Sequence, residues 1–418
     1  MSSRPADAAS TPGRRKRLAL LGSRGIPARY GGFETFAEEL STRLVRAGVE
    51  VTVFCERTPG EPPAEHAGVG LEHVRAPGLG ALGSLLYDLS SLWRARRGYD
   101  VVYMLGYGAG AFLWIPRLFG REVWVNMDGR EWKRAKWGPL ARMWLRWMER
   151  AALRAAHRIV FDSAAVRREV LGDAAPDARV HVIEYGAAVE TEADDPQVLD
   201  SLGLRAGSYY LVIARIEPEN HVLEIVRTVT RTGTQRELVV VGDLERGGRY
   251  ARLCRREAGS RVRFLGAVFD RPALWTLRSQ AWAVIHGHSV GGTNPALLEA
   301  LAAGAPVVAH DNPFCREVLE DSARYFKDEG ELSAAIRDCE RLDDEERRAI
   351  RLGNRARIAQ RYSWERITAG YVRLLGLEGV SGASAGARTA PASVESVPAA
   401  LPGRAARSTS PASEERPG

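Results

Sequence analysis

The stretch HGHSVGGTNPALLEA, residues 286–300, gathers groups suited to holding a phosphorylated sugar. An apolar run ending at Ile285 reads as a strand, the glycines as a loop, and Pro295 onward as a helix. Gly291 and Gly292 let backbone N–H groups come close to a ligand. Thr293 or Asn294 can cap the helix, and Pro295 suits its first turn, where an N–H would have no intrahelical partner. The helix N-terminus then offers free donors and a positive dipole end, which suits a diphosphate. Glu299 follows Pro295 by four residues, so it shares that face and can accept hydrogen bonds from sugar or ribose hydroxyls. The competing reading is an ordinary strand–loop–helix unit with Glu299 in solvent.

Three further segments put polar groups at strand ends. GSRGIPARYGGFET, residues 22–35, delivers Gly31 and Gly32 to a helix N-terminus, with Arg24, Arg29 and Glu34 nearby. It lacks the G-x-G-x-x-G spacing, which argues against an NAD enzyme, and suits a phosphate or an acceptor sugar. A plain wide turn is the alternative. Asp128 ends another strand beside Gly129, where a carboxylate can act as a base toward an acceptor hydroxyl or simply form a turn. Arg215 ends a third strand, in ARIEPEN, and can grip a diphosphate through its two-pronged guanidinium or make an interdomain salt bridge. Finally, Arg142, Arg146, Arg150, Arg154 and Arg158 recur every four residues on one expected helix, interleaved with Trp137, Trp144 and Trp147. That stripe suits an anionic membrane surface. Against it stands a solvated face with a buried tryptophan side. No nucleic-acid-binding pattern accompanies the arginines, so nucleic acid is not an expected partner.

Strands alternating with helices must position these groups. Short apolar runs at residues 18–21, 49–55, 101–105, 122–127, 158–162 and 179–183 are separated by helical patterns, the clearest being residues 31–47 and 82–97. The pattern restarts at residues 209–214, 237–242, 262–265, 281–285 and 306–309. Alternation of this kind implies parallel sheets with right-handed crossovers. The expected organisation is a tail at 1–15, a Rossmann-like acceptor domain at 16–188 and a linker at 189–207. A second Rossmann-like donor domain follows at 208–379, its last helix able to return to the first domain, and then a tail at 380–418. The composition of both tails, Ser, Ala, Pro, Gly and Arg without periodicity, predicts disorder. Ligands of such folds sit at the C-terminal ends of the strands.

Of 418 residues, 59 are basic and 52 acidic, an excess that says little unless it clusters. No apolar run approaches the ~20 residues needed to span a bilayer, and the N-terminus lacks a signal-peptide core. The four cysteines are far apart, without metal spacing, which fits a reducing cytoplasm. No metal or cofactor is expected.

Taken together, residues 22–35, DGREWKRAKW (128–137), ARIEPEN (214–220) and 286–300 resemble a bacterial rhamnosyltransferase subgroup of the retaining GT-B glycosyltransferases, family 4. The resemblance covers about residues 16–375. It implies two Rossmann-like domains facing each other across a cleft. It also implies transfer of rhamnose from dTDP-rhamnose to a lipid-linked glycan precursor, at the cytoplasmic side of an inner membrane. Donor binding then falls to Arg215, Asn220, Gly291, Gly292, Thr293, Asn294 and Glu299, and catalysis to Asp128 and Glu299. Arg24, Gly31, Gly32 and Glu34 face the acceptor, and Arg142, Arg146 and Arg150 the membrane. Two places depart from the wider family: Gly291 stands where it has a donor-sugar glutamate, and Asn220 where it has a diphosphate lysine. A nucleotide-sugar epimerase and an idle sugar-nucleotide-binding scaffold are the alternatives.

Overall fold

The computed structural model describes residues 14–377, apart from 29–30, 59, 61, 135, 174, 176 and 190–193. The expected tail at 380–418, most of that at 1–15, and Arg29 lie outside the described residues.

The first half runs β1 (Arg17–Leu21), α1 (Gly32–Arg46), β2 (Glu50–Glu56), β3 (Glu65–His66), β4 (Val69–Val74), α2 (Ala81–Ala95) and β5 (Val101–Leu105). It continues through α3 (Trp114–Leu118), β6 (Glu122–Met127), α4 (Pro139–Ala155), β7 (Arg158–Phe161), α5 (Ala164–Leu171) and β8 (Val180–Val182). Its eight strands lie in the order β3-β4-β2-β1-β5-β6-β7-β8, all parallel except the short edge strand β3. The second half runs α6 (Pro196–Ser201), β9 (Tyr209–Ile213), α7 (Val222–Arg231), β10 (Glu237–Val241), α8 (Gly248–Glu257), β11 (Val262–Gly266) and α9 (Arg271–Ser279). Then come β12 (Ala283–His286), α10 (Pro295–Ala303), β13 (Val307–His310), α11 (Pro313–Leu319) and β14 (Arg324–Phe326). Helices α12 (Glu329–Glu340), α13 (Asp344–Arg361) and α14 (Trp364–Leu374) close the chain. Six parallel strands lie in the order β11-β10-β9-β12-β13-β14.

Each sheet is buried on both faces, which is why its strands read as unbroken apolar runs. Leu18 and Leu20 of β1 enter one core with α1, while Ala19 and Leu21 enter another with α2 and α4. The first of these cores continues through Tyr209 and Leu211 of β9, Leu298 of α10, and Trp364 and Tyr371 of α14. Helix α14 lies against the first half: Phe36 meets Trp364 and Tyr371 at ring distances of 6.3 and 6.0 Å, and the Tyr103 and Tyr371 hydroxyls are 2.9 Å apart.

The arginine stripe is shorter than its spacing suggested. Helix α4 ends at Ala155, and Arg158 opens β7 and pairs with Glu122 at 3.3 Å. Nor are the tryptophans of α4 its buried side. Leu145, Met148, Glu149 and Ala152 face inward, while Trp144 and Trp147 are exposed. The expected linker is also partly structured, since it contains α6, and the Asp195 N–H donates to Thr276 Oγ1 of α9 at 3.1 Å.

Candidate functional site

The C-terminal ends of the two sheets meet closely, with glycine backbone at the nearest points. A Cβ on Gly129, after β6, would lie 2.9 Å from the Gly291 Cα, and one on Gly292 would lie 2.1 Å from Asp162 Oδ1. Gly129 and Gly291 both hold positive φ, 117° and 137°, a region that disfavours any side chain. Thr293 Oγ1 donates to the Asp162 carbonyl, and Gly32 lies against Pro295. Helix α10 is capped by Asn294, whose side chain accepts from the Ala296 N–H at 2.9 Å, with Pro295 in the first turn.

Charged groups from both halves converge at this contact. Burial pushes Asp128 up to about 6, with Arg134 and Arg215 opposing the shift and Glu131 adding to it. Asp162 is 1% exposed, and burial together with the nearby Asp128 carboxylate raises it well above the usual range. Its Oδ1 has no hydrogen-bond partner among the described residues. Two carboxyls that repel each other in so dry a place cannot both ionise easily, so both are held above the usual carboxylate range. Arg134 pairs with Glu131 at 2.7 Å, and Arg215 with Glu217 at 3.6 Å.

His288 completes the cluster. Burial, then His286, Arg134 and Arg215, hold its pKa well below the usual value, so the ring is neutral. Asn220 Nδ2 donates to the Arg215 carbonyl at 2.8 Å, which leaves its Oδ1 to accept from His288 Nδ1 at 2.7 Å. The His288 Nε2 lies 3.0 Å from where a Gly291 Cβ would be, and the ring also bonds the Val290 backbone. Asn220 had been assigned to the donor, but both ends of its amide bond within the protein, and it is 4% exposed. It orients His288 and anchors the backbone of Arg215. Thr293 likewise is buried on Asp162 and does not face an open phosphate site.

Glu299 leads elsewhere. It pairs with Arg278 and lines a cavity with Thr35, Tyr185, Arg271 and Trp364. The sequence placed it correctly on the face of Pro295, which lines the same cavity, but among the described residues its bonding partner is Arg278 and not the Asp128 cluster. Glu34 is also turned inward: its Oε1 accepts from the Arg24 N–H at 3.0 Å, fastening the Gly22–Gly32 loop to α1. The Arg24 side chain is exposed, 4.0 Å from Glu56. Tyr185 lies between these groups, its pKa driven up by burial and then by Asp162 and Asp128, with a hydroxyl that has no partner among the described residues.

Asp162, Arg134, His288 and Tyr185 were not singled out from the sequence. Asp162 had a legible signal, because it ends a strand just as Asp128 does and precedes Ser163, the cap of α5. Among the described residues no group of three His, Cys, Asp or Glu side chains could hold a metal ion.

Residues 205–358 match the family model for Glycosyl transferases group 1, and residues 15–188 match a Domain of unknown function (DUF1972). A comparison with curated proteins returned no match. Among solved structures, a sucrose-phosphate synthase from Thermosynechococcus elongatus is similar at 18% identity and a TM-score of 0.76, over 88% of this chain and 100% of its own. HepE from Anabaena, in complex with UDP and glucose, is similar at 19% identity and a TM-score of 0.70, over 87% and 100%. An alpha,alpha-trehalose-phosphate synthase (UDP-forming) from Burkholderia xenovorans, in complex with glucose-6-phosphate, is similar at 14% identity and a TM-score of 0.65, over 86% and 100%. The fold is α/β, of the GT-B class, with two Rossmann-like domains, and the glycosyl transferases group 1 match falls on the second of them.

Proposed function

We propose that this protein is a retaining glycosyltransferase that moves rhamnose from dTDP-rhamnose onto a hydroxyl of a lipid-linked glycan precursor, working at the cytoplasmic face of a membrane. The observation that carries this reading is the convergence of Arg134 and Arg215, one from each half, on the Asp128 carboxylate beneath the Gly291–Gly292 loop. In the reaction the bond from the sugar C1 to the diphosphate breaks, and its electron pair leaves on the phosphate oxygen. The two guanidiniums stabilise that developing charge. The acceptor oxygen bonds to C1 from the face that the phosphate leaves, which retains the configuration, and Asp128, ionised at neutral pH, takes its proton. Neutral His288, aimed by Asn220, offers a lone pair to a donor hydroxyl without competing for the phosphate.

The choice of a 6-deoxysugar rests on Gly291. In the resemblance this is the place of a donor-sugar glutamate, and here the positive φ and the close His288 ring leave no room for one. A donor that needs fewer hydroxyl contacts suits such a site. Among the described residues no helix is long and apolar enough to cross a membrane, so an anionic surface would be met by α4 through Arg142, Arg146 and Arg150, all exposed.

The test is a panel of radiolabelled nucleotide sugars, each incubated with the protein and a lipid-linked acceptor extract. Label entering the lipid phase from dTDP-rhamnose, and less from UDP-glucose, supports the reading. A changed nucleotide sugar without acceptor identifies an epimerase, and binding without any turnover identifies an idle scaffold.

A further inference from the structure

Ten of the twelve most exposed large apolar side chains of the described residues fall within residues 79–147. Scattered exposed leucines are ordinary, but a cluster of this kind is not. The helices that carry them share one face of the first sheet. Helix α3 is tied to α4 by Arg117, which donates to the Ala155 carbonyl at 2.7 Å, and α2 reaches α3's end through Trp93, whose ring meets Phe119 edge-on at 6.4 Å. Outward from this layer point Leu86 and Trp93 of α2, Trp114 and Leu118 of α3, and Leu140 and Trp147 of α4, with Leu118 71% and Leu140 78% exposed.

Beside the apolar layer runs a groove of about 480 Å³, lined by Arg57, His73, Arg75, Trp93 and Arg94 among others. Arg94 pairs with Glu72, but Arg57 and Arg75 have no acidic partner among the described residues. Arg57 directly follows β2 and Arg75 directly follows β4, so both stand at the C-terminal edge of the first sheet, the edge that also carries Asp128. Trp93 belongs to both features, being exposed on the layer and lining the groove. An unpaired basic groove bordered by leucine and tryptophan fits a molecule with an anionic head and an apolar tail.

We propose that the α2–α3–α4 face docks on an anionic phospholipid bilayer, with a lipid phosphate headgroup in the groove between Arg57 and Arg75. The apolar side chains enter the headgroup–acyl boundary, and the arginines meet the phosphates. This deepens the lipid-linked acceptor reading, because it brings the acceptor edge of the first sheet to the bilayer. It rests on that reading only for its purpose, and vesicle binding is measured without any nucleotide sugar. Failure of docking would therefore leave transfer to a water-soluble acceptor untouched, and failure of transfer would leave docking untouched.

The experiment is cosedimentation of the full chain with vesicles of phosphatidylcholine alone and of phosphatidylcholine mixed with phosphatidylglycerol. The wild type should sediment with the mixed vesicles and weakly with the neutral ones. Arg57→Gln with Arg75→Gln should lower partitioning onto the mixed vesicles about thirtyfold at low salt. That difference should shrink as salt screens the charges. Trp114→Ser with Leu118→Ser should lower partitioning at every salt concentration. All four positions are exposed, and unchanged melting temperatures would confirm that the variants fold. Equal sedimentation of wild type and both double variants would overturn the proposal, as would equal wild-type binding to neutral and anionic vesicles. Inorganic phosphate provides the other arm. If it raises the wild-type melting temperature but not that of the arginine variant, while vesicle binding ignores both arginines, the groove holds a soluble phosphate and the lipid assignment is wrong.

Discussion

At the scale of single residues, the chemistry depends on the Asp128 carboxyl and on the Asp162 carboxyl buried beside it. Asp128 titrates at about 6 against an ordinary 3.8, mainly through burial, whereas Asp162 is raised further by the same cause and by Asp128 itself. Turnover should rise with pH through about 6 and level off above it, since only the ionised Asp128 accepts a proton. Stability should run the opposite way. The folded protein binds the Asp128 proton more tightly than the unfolded chain does, so this contribution is full below the unfolded value of 3.8 and is lost as pH rises through about 6. Chemical denaturation across that window, compared between wild type and Asp128→Asn, measures it. Gly292 gives a second test. Its hypothetical Cβ lies 2.1 Å from Asp162 Oδ1, so Gly292→Ala should disrupt the contact between the halves and lower both melting temperature and turnover. Adding Asp162→Ala removes the obstructing carboxylate and should restore most of the melting temperature. No restoration would mean that the glycine serves the ligand and not the packing.

At the scale of elements, the loop into α10 was legible because its chemistry is local. A glycine pair, an Asn cap and a first-turn proline specify a helix start whatever surrounds it. Most of the parallel strands were legible for a similar reason, since both faces are buried and the runs are continuously apolar. Strand β4 was not anticipated because Gly70, Glu72 and His73 interrupt its apolar run, and neither were the two-residue β3 and the three-residue β14. The orientation of the α4 tryptophans was left open between a membrane-facing stripe and a buried side, since amphipathicity normally turns large apolar groups inward; here Trp144 and Trp147 face outward. That reversal makes a prediction. Changing Arg142, Arg146 and Arg150 to Gln should lower sedimentation with anionic vesicles on the order of a hundredfold at low salt, while transfer to a short water-soluble acceptor stays unchanged. Equal sedimentation would return α4 to the status of a solvated face.

At the scale of the whole molecule, the two halves are joined by contacts that no local reading could reveal. Glu317 of α11 accepts from Ser163 Oγ at 2.7 Å and from the Ala164 and Ala165 N–H groups at 2.9 and 2.7 Å, so a carboxylate from the second half holds the N-terminus of α5 in the first. The partners are about 150 residues apart in sequence, and nothing in the spacing of either segment signals the other. The same separation hides from the sequence the partners that Asn220 and Glu299 have in the fold. Their types suit a sugar nucleotide, but His288 and Arg278, which bind them, lie 68 and 21 residues away. Glu317→Ala should leave the Ala164 N–H and the Ser163 hydroxyl without their acceptor and destabilise the protein by about 1–3 kcal/mol, read from denaturant unfolding. An unchanged midpoint would mean that the interface is held by its apolar core alone.

The account stands most directly on Asp128. The decisive measurement is the rate of dTDP release from dTDP-rhamnose, with and without lipid-linked acceptor, in wild type and in Asp128→Asn. Release should depend on acceptor in the wild type and fall about a hundredfold or more in the variant, with dTDP binding by calorimetry retained. Release at the wild-type rate from Asp128→Asn would contradict it.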